Sequence, residues 1–394
     1  MAEYEVQASA ETKLLIVQPY IPEYRVPLFR CLSSELSGIG IQMSVAAAVP
    51  TGEQALRRDD QSANGADYLL DERLLRIGHR TIHLRNLGTL LRIQQPDFVI
   101  VEQAIKNTES WPLLIHSARG GSPRVAMWGN GRSYSERQTW TAAQLKNWLT
   151  RRADWFFAYT QAGADHVVSK GFPQRRVTVL RNSTDTRELH THLASISQPE
   201  KASFIRKHAL TDGQTAIFVG GIDAHKGIGF LLDAAKLLGT LSPGFKLLVA
   251  GAGSLEDQVK SAEDAGEPIV YLGRLTGREK ALALSVSDIV MVPEWVGLVA
   301  VDALATGLPV VTTRHDSHSA EFEYLAEGQT MLIADHSVTE YALLIAELLR
   351  DPRRLSEMSS EAIKSAKSFS VELMARRFAD GIGSWIKSGK ASPI

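Results

Sequence analysis

The fold is indicated most directly by the stretch Pro293–Val311, which has the sequence PEWVGLVAVDALATGLPVV. The apolar run Asp288–Val292 before it is typical of a buried strand. Pro293 ends that strand, Gly297 permits close approach of the backbone, and the following residues predict a helix with Asp302 in its second turn. The segment therefore predicts a strand, a short loop and a helix.

Two acids flank the predicted start of this helix. Glu294 lies on the loop, and Asp302 follows eight residues later inside the helix. The N–H groups at a helix start have no partner within the helix and favour anions such as phosphate. Here they belong to Gly297, Leu298 and Val299. Two carboxylates beside a phosphate site suit a ligand with both hydroxyls and phosphates, as in a nucleotide sugar.

Length and composition limit the class of protein. A chain of 394 residues is too long for one core and suits two domains. Its 44% hydrophobic and 22% charged residues are typical of a soluble globular protein. The formal net charge of -1 gives no reason to expect a nucleic-acid partner.

Three features predict a location in the cytoplasm. Cys31 is the single cysteine, which excludes an internal disulfide and suits a reducing compartment. No apolar run is long enough to span a membrane. The residues Met1–Glu5 lack the positive charge of a signal peptide. Arg119–Arg152 carries several arginines and tryptophans, and a solvated face is the simpler explanation for them. Peripheral contact with the inner membrane face is the alternative.

Apolar runs typical of strands alternate with helical patterns in both halves of the chain, which predicts doubly wound parallel sheets of the α/β class. The predicted strands are Lys13–Gln18, Ile41–Val49, Phe98–Glu102, Arg124–Trp128, Trp155–Tyr159, Val177–Leu180, Ala216–Val219, Lys246–Ala250, Ile269–Leu272, Ile289–Val292, Val310–Thr312 and Met331–Ile333. So many strands imply two sheets, in domains of residues 1–200 and 201–370. The boundary between the domains lies in the polar segment from Asn182 to about Thr211. The final segment, 371–390, contains an amphipathic helix of about Val371–Lys387.

A glycine-rich turn begins the second domain. In Phe218–Ile228 a strand leads through Gly220 and Gly221 to Lys226 near a helix start. Glycines let the backbone approach a phosphate, and the lysine adds a positive charge. An ordinary strand-to-helix turn with a surface lysine is the alternative. The pattern matches neither a Walker P-loop nor a dinucleotide fingerprint.

Other strand ends supply weaker candidates. Arg274 follows a strand and could face a base or a phosphate, or simply solvent. Asn130 follows another strand between Gly129 and Gly131, and Arg132 comes directly after them. Tyr24 and Arg25, in a loop after the first strand, are available to an acceptor, unless that loop only packs on the sheet.

Other catalytic classes have little support. His315 and His318, near Asp316 and Glu321, are a weak candidate for a metal site, so no metal is predicted. The chain has no Gly-x-Ser-x-Gly elbow, which argues against a nucleophilic hydrolase.

Together these motifs resemble family 4 glycosyltransferases, which have the GT-B fold of two Rossmann-like domains facing across a cleft. The resemblance runs from Lys13 to about Lys387 and is most specific in 216–311. It implies a retaining glycosyltransferase that needs no metal or other cofactor. Such an enzyme moves a sugar from a nucleotide-diphosphate sugar to a glycan, a lipid-linked saccharide or a glycosylated natural product.

The resemblance also implies roles for single residues. Lys226 would bind the donor diphosphate, Glu294 would contact hydroxyls of the transferred sugar, and Asp302 would bind the ribose in place of a glutamate. The amides of residues 297–299 would hold the distal phosphate, and the C-terminal helix would cross back onto the first domain. The implied catalytic residues are Glu294, Lys226 and Asn130; the donor site adds Gly220, Gly221, Arg274, Gly297, Leu298, Val299 and Asp302, and the acceptor side has Tyr24, Arg25 and Arg132.

Two departures from the family pattern affect these expectations. The diphosphate-binding arginine of the family falls on Gly221, and Arg274 or Arg25 could supply the missing charge. The sugar-contacting histidine falls on Asn130, which cannot carry a proton at neutral pH. Two alternatives therefore stay open: an epimerase of nucleotide sugars with the same architecture, and a non-catalytic nucleotide-sugar binding protein.

Overall fold

The computed structural model describes residues 11–77, 80–132, 139–315 and 318–388. Two parallel sheets and one hairpin organise them. The first sheet has seven strands in the order β3-β2-β1-β6-β7-β8-β9. Its strands are β1 (Thr12–Gln18), β2 (Ile41–Ala47), β3 (Tyr68–Leu69), β6 (Phe98–Glu102), β7 (Arg124–Gly129), β8 (Trp155–Ala158) and β9 (Val177–Val179). Between β3 and β6 the chain forms an antiparallel hairpin of β4 (Glu72–Ile77) and β5 (Arg80–Arg85).

The second sheet has six strands in the order β12-β11-β10-β13-β14-β15. They are β10 (Thr215–Val219), β11 (Lys246–Ala250), β12 (Ile269–Gly273), β13 (Ile289–Met291), β14 (Val310–Thr313) and β15 (Met331–Ala334). All neighbouring strands of this sheet run parallel. The predicted α/β class with two sheets is thereby confirmed.

All twelve predicted apolar runs are strands, with ends within two residues of the prediction. Three strands were missed for physical reasons. The two-residue β3 is too short to carry a period, and β4 (ERLLRI) and β5 (RTIHLR) lack the continuous apolar run by which the other strands were located.

The longer helices cover the faces of the two sheets. Those of the first half are α1 (Val26–Ser37), α4 (Leu87–Gln94), α5 (Ser110–Ser117), α6 (Trp140–Thr150) and α7 (Gln161–Ser169), with one-turn helices α2 (Glu53–Leu56) and α3 (Ser62–Gly65). Those of the second half are α8 (Thr186–Ser195), α9 (Gln198–Lys207), α10 (Ile228–Leu241), α11 (Glu256–Asp264), α12 (Gly277–Ser285), α13 (Val299–Thr306), α14 (Val338–Leu349), α15 (Pro352–Ala366) and α16 (Val371–Ser388). No helix in these ranges has the length and hydropathy needed to cross a bilayer.

One detail of the decisive stretch differs from the prediction. Helix α13 begins at Val299, so Asp302 lies in its first turn rather than its second. The loop between β13 and α13 covers residues 292–298, and within it Trp295 adopts a left-handed backbone conformation, with φ of 52°.

The change from one hydrophobic core to the next lies early in the predicted boundary segment. Leu189 and Ile196 already pack in the core of the second sheet, ahead of residue 200. The final helix α16 returns to the first core, where Phe378 is fully buried. Its ring centroid lies 5.1 Å from that of Trp128 and 4.6 Å from that of Phe157. This aromatic contact fixes the C-terminus to the first domain.

Each sheet reverses its strand order at one point, between β1 and β6 and between β10 and β13. In doubly wound sheets, ligands bind beyond the carboxyl ends of the strands at such a point. The loops after β10 and β13 are the glycine-rich turn and the Glu294 loop. The topology therefore brings the two strongest sequence motifs together.

Candidate functional site

The turn after β10 holds Lys226 against the loop after β13. A 3₁₀ turn, Ala224–Lys226, ends the loop, and the Lys226 Nζ donates to the carbonyl oxygen of Trp295 at 2.8 Å. A Cβ built on Gly297 would lie 3.8 Å from the same Nζ. The ammonium group therefore lies at the start of α13.

The surroundings of Lys226 change its titration. Burial, and next the positive charge of Arg57, lower the pKa of Lys226 to about 8. His225, the residue before it, has its pKa lowered to about 4, mainly by burial, so its ring is neutral at pH 7. Lys226 is thus still mostly protonated at neutral pH, and a bound anion would favour that protonated form.

The first amides of α13 are available for a ligand. Among the described residues, no acceptor receives the N–H groups of Gly297, Leu298 or Val299, whereas the Val296 N–H donates to His318 Nδ1 at 3.3 Å. The helix carries positive partial charge at this end. These amides and the Lys226 ammonium group therefore face one small region, which suits a phosphate.

Glu294 lies beside this region. A Cβ on Gly227 would come within 2.8 Å of the Glu294 Cδ, and Gly227 has a φ of 65°. Glycine is therefore required there both by the backbone and by the contact. Glu294 Oε1 also lies 3.0 Å from His336 Nε2.

Glu294 forms part of the one group in the described chain that could hold a metal ion. Ligand atoms of Glu294, His315 and His336 all lie within 4.8 Å of one another. His318, which the sequence paired with His315, instead contacts Thr313 O at 2.9 Å and Val296 N. Asp316, the third candidate ligand, lies outside the described residues. An acid with two histidines is a ligand set that zinc accepts.

Asp302 is less available than expected. Its side chain is buried, and its oxygens accept hydrogen bonds from Thr184 Oγ1 at 3.0 Å and Lys280 Nζ at 3.1 Å. A ribose would have to share or replace one of these partners. Asp302 therefore also joins α12 and the interdomain turn to α13.

The first domain contributes Arg132 to the cleft. Together with His315, His318 and Phe322 it lines a cavity of about 290 Å³ between the domains. Asn130 is half-buried at the end of β7. No hydrogen bond of the described chain joins Asn130 to Glu294 or Lys226, so its predicted catalytic role stays a prediction.

Arg25 is buried rather than open to an acceptor. Its Nη1 donates to Asn182 Oδ1 at 2.7 Å, and its guanidinium carbon lies 4.7 Å from the Trp128 ring centroid. Asn182 in turn donates to Glu321 Oε1 at 2.5 Å. This chain of contacts joins the two domains and does not favour the predicted acceptor contact of Arg25. Tyr24, by contrast, is 39% exposed.

Ion pairs join the domains along the rim of the cleft. Arg274 pairs with Glu23, and Arg58 pairs with Glu256. Arg57 pairs with Asp223, its Nη2 lying 2.9 Å from Oδ2. Arg274 is thus held at the rim by Glu23, while Arg25 is buried against Trp128.

Sequence reasoning missed Arg57, and it named Glu321 only as a neighbour of a weak candidate metal site, not as a contact between the domains. Both lie in stretches without a strand or helix period, and each acts through a partner more than 130 residues away in the chain. A Cβ on Gly251, in the turn after β11, would lie 1.9 Å from the Gly220 carbonyl oxygen, so the turns after β10 and β11 pack directly against each other.

The chain has two doubly wound domains, and the N-terminus of α13 at the edge of the second sheet can bind phosphate. This combination defines the GT-B class. Known structures agree. HepE of Anabaena in complex with UDP and glucose has a TM-score of 0.66 at 16% identity, covering 95% of this chain and 100% of that one. UDP-GlcNAc 2-epimerase of Neisseria meningitidis bound to UDP-GlcNAc has a TM-score of 0.60 at 16% identity, covering 94% and 99%. At such identities the likeness shows the fold alone.

Sequence comparison narrows the class. The family described as glycosyl transferases group 1 matches residues 200–368. Phosphatidyl-myo-inositol mannosyltransferase of Mycobacterium leprae is 31% identical over 43% of this chain and 45% of that protein. Glycogen synthase of Mycobacterium tuberculosis is 26% identical over 71% of this chain and 67% of that protein. The chain thus matches less than half the length of the mannosyltransferase.

Residues 200–368 match the family of glycosyl transferases group 1, within a chain that has the GT-B fold. The resemblance predicted from the Gly220–Gly227 turn and the Glu294–Asp302 segment is confirmed for the fold and, over residues 200–368, by the family match.

Proposed function

We propose that this chain is a retaining, metal-independent glycosyltransferase. Its donor is a nucleotide-diphosphate sugar, and its acceptor is a glycan, a lipid-linked saccharide or a glycosylated natural product. The observation that carries the proposal is the position of the Lys226 ammonium group, 2.8 Å from the Trp295 carbonyl oxygen at the start of α13. A positive charge in this place stabilises the negative charge that develops on a departing diphosphate.

The proposed reaction follows from these groups. The bond between the anomeric carbon and the distal phosphate oxygen breaks, and the negative charge on that oxygen is stabilised by Lys226 and the amides of residues 297–299. An acceptor hydroxyl forms the new bond to the anomeric carbon on the same face, and its proton passes to the departing phosphate. Glu294, beside Gly227, holds hydroxyls of the transferred sugar. The products are a nucleoside diphosphate and the glycosylated acceptor.

The proposal assigns the remaining binding roles as follows. Gly220 and Gly221 give the diphosphate room, and Asp302 contacts the ribose. Tyr24 and Arg132 face the acceptor. The match of residues 200–368 to group 1 transferases supports transfer over epimerisation, although the epimerase of Neisseria meningitidis shares the fold. No nucleic-acid partner is proposed.

The proposed location is the cytoplasm, with peripheral contact at the inner membrane face. Helix α6 supports the proposed membrane contact, because its residues Trp140 and Trp148 are 75% and 37% exposed. Tryptophan prefers the interface between water and lipid.

The test is an incubation with a panel of uridine, guanosine and adenosine diphosphate sugars, with and without saccharide acceptors. We expect release of nucleoside diphosphate that an acceptor stimulates, a product with the anomeric configuration of the donor, and an unchanged rate in the presence of a chelator. Binding without turnover would indicate a binding protein, and an isomerised nucleotide sugar without acceptor would indicate an epimerase. A rate lost on chelation and restored by zinc would instead assign Glu294, His315 and His336 to a metal.

A further inference from the structure

A positive charge from the first domain lies beside Gly221. A Cβ built on Gly221 would lie 3.3 Å from the Nε of Arg57. Arg57 belongs to the first domain, 164 positions earlier in the chain. The same Cβ would lie 2.7 Å from Asp223 Oδ2, so the Arg57–Asp223 ion pair borders Gly221 and places a guanidinium group beside it.

Local structure holds Arg57 in this place. Arg57 caps the C-terminus of α2, and the next residue, Arg58, has a left-handed φ of 54°. The following Asp59 carbonyl accepts a hydrogen bond from the Glu23 N–H at 2.8 Å, which ties this loop to the first-strand loop. The Tyr20 hydroxyl also contacts the Arg57 side chain. The guanidinium is thus positioned by the fold of the first domain.

Its ion pair leaves part of the guanidinium group for a ligand. Nε and Nη2 of Arg57 both face one oxygen of Asp223, Oδ2, at 3.0 and 2.9 Å. Arginine carries five N–H donors in a planar fork, so one carboxylate oxygen cannot use them all. The Arg57 side chain is 33% exposed, whereas the Asp223 side chain is 2% exposed.

Arg57 also acts on the same region as Lys226. Its positive charge is the largest influence after burial that lowers the pKa of Lys226. Two cations held close together repel each other, and an anion between them relieves that repulsion. Arginine suits such an anion well, because its fork matches two phosphate oxygens.

We infer that Arg57 is the second diphosphate-binding cation of this protein, supplied by the first domain in place of a side chain at Gly221. This inference rests on the proposed function and names a further donor-binding residue for it. A diphosphate held between Arg57 and Lys226 joins the two domains. Such a diphosphate adds a further link to the ion pairs that already join the domains along the rim.

The experiment is a calorimetric titration of the full chain with UDP, GDP and ADP, and then with the nucleoside of the diphosphate that binds most tightly. Arg57→Ala should weaken binding of the diphosphate about ten-fold or more, the loss typical of one hydrogen bond to a charged group. Its affinity for the nucleoside should be unchanged, because the nucleoside carries no phosphate. Thermal melting of each variant checks that it is folded.

Arg58→Ala is the matched control. Arg58 neighbours Arg57 and also pairs across the cleft, with Glu256, but it does not contact Gly221. We expect its diphosphate affinity to equal that of the wild type. Equal losses in the two variants would mean that only the interdomain ion pairs matter, and would overturn the inference.

A variant that moves the positive charge from position 57 to position 221 tests the inference more directly than the single substitutions do. Gly221 does not need a left-handed backbone, so Gly221→Arg is sterically possible once the Arg57 side chain is removed and Asp223 shifts slightly. The double variant Arg57→Ala/Gly221→Arg should recover the diphosphate affinity lost in Arg57→Ala. Failure to recover in a folded double variant would contradict the inference. A wild-type chain that binds none of the three diphosphates would overturn the proposed function itself, whereas wild-type affinity in Arg57→Ala would overturn this inference alone.

Discussion

Lys226 and Trp295 are joined by a hydrogen bond of 2.8 Å from the ammonium group to the backbone carbonyl. The bond connects the loops after β10 and β13, which meet where the second sheet reverses its strand order. It leaves two of the three ammonium N–H donors to point elsewhere. The predictions below begin from this contact.

Binding of a nucleoside diphosphate should depend on pH through Lys226. Only the protonated amine attracts phosphate, and the pKa of Lys226 in the unliganded chain is about 8. Affinity should therefore be full below pH 8 and fall as the pH rises above it. A titration series between pH 6 and 10 measures this change. Lys226→Arg keeps the charge throughout and should flatten the profile, so an equal decline in that variant would contradict the assignment.

At constant pH, Lys226→Ala should weaken binding of the nucleoside diphosphate more than binding of the nucleoside. Loss of one hydrogen bond to a charged group costs about 1.5–3 kcal/mol. Equal losses for diphosphate and nucleoside would contradict the phosphate role. This comparison needs only the wild type and one variant.

Glu294→Gln should slow transfer and leave nucleoside diphosphate binding unchanged. The carboxylate is assigned to the sugar, so its loss affects the transition state and not the nucleotide. A fall in kcat of about 10²-fold or more is expected, comparable with the removal of one preorganised group elsewhere. Glu294→Ala should abolish transfer. Asp335→Asn is the control, because Asp335 is an exposed acid beside His336. Wild-type turnover in Glu294→Gln would remove Glu294 from the sugar site.

Asp302 has two roles that can be separated. Its bonds to Thr184 and Lys280 are structural, so Asp302→Ala should lower the free energy of unfolding by about 1–3 kcal/mol. If Asp302 also binds the ribose, the wild type should prefer a nucleoside diphosphate over its 2′-deoxy analogue, and Asp302→Ala should lose that preference. Thr184→Val removes only one of the two structural hydrogen bonds, so this variant should keep the preference for the nucleoside diphosphate over its 2′-deoxy analogue. A preference that survives in Asp302→Ala would leave only the structural role.

The return of α16 to the first domain should account for much of that domain's stability. Phe378 is fully buried between Trp128 and Phe157. Phe378→Ala should lower the free energy of unfolding by about 3–5 kcal/mol, because it removes buried apolar surface and leaves a cavity. Chemical denaturation measures this change. Leu343→Ala, at a 47% exposed position of α14, should cost far less. Equal costs would show that α16 is only loosely packed.

The parts of the fold that the sequence predicted well are those with a local pattern. Buried parallel strands are continuous apolar runs, and so β10 and β13 could be located to within a residue. Gly227 lies in the segment Phe218–Ile228, which the sequence predicted to be a strand-to-helix turn. Its contact with Glu294 followed from topology, because both loops leave the same edge of the sheet.

The parts that it did not predict depend on contacts between the domains. Arg57 lies in a polar loop whose sequence has no period, and its partner Asp223 is 166 residues away. The burial of Arg25 against Trp128 likewise depends on how the first-strand loop packs. No local pattern encodes such contacts, so the sequence indicated a missing charge at Gly221 without locating its replacement.

The most direct test of the account is a crystal structure of the chain with the nucleoside diphosphate that binds most tightly. We predict that the distal phosphate lies within hydrogen-bonding distance of the Lys226 Nζ and of the amides at Gly297–Val299, with Arg57 on the diphosphate. A nucleotide bound elsewhere, with no phosphate contact to Lys226 or α13, would contradict the central claim.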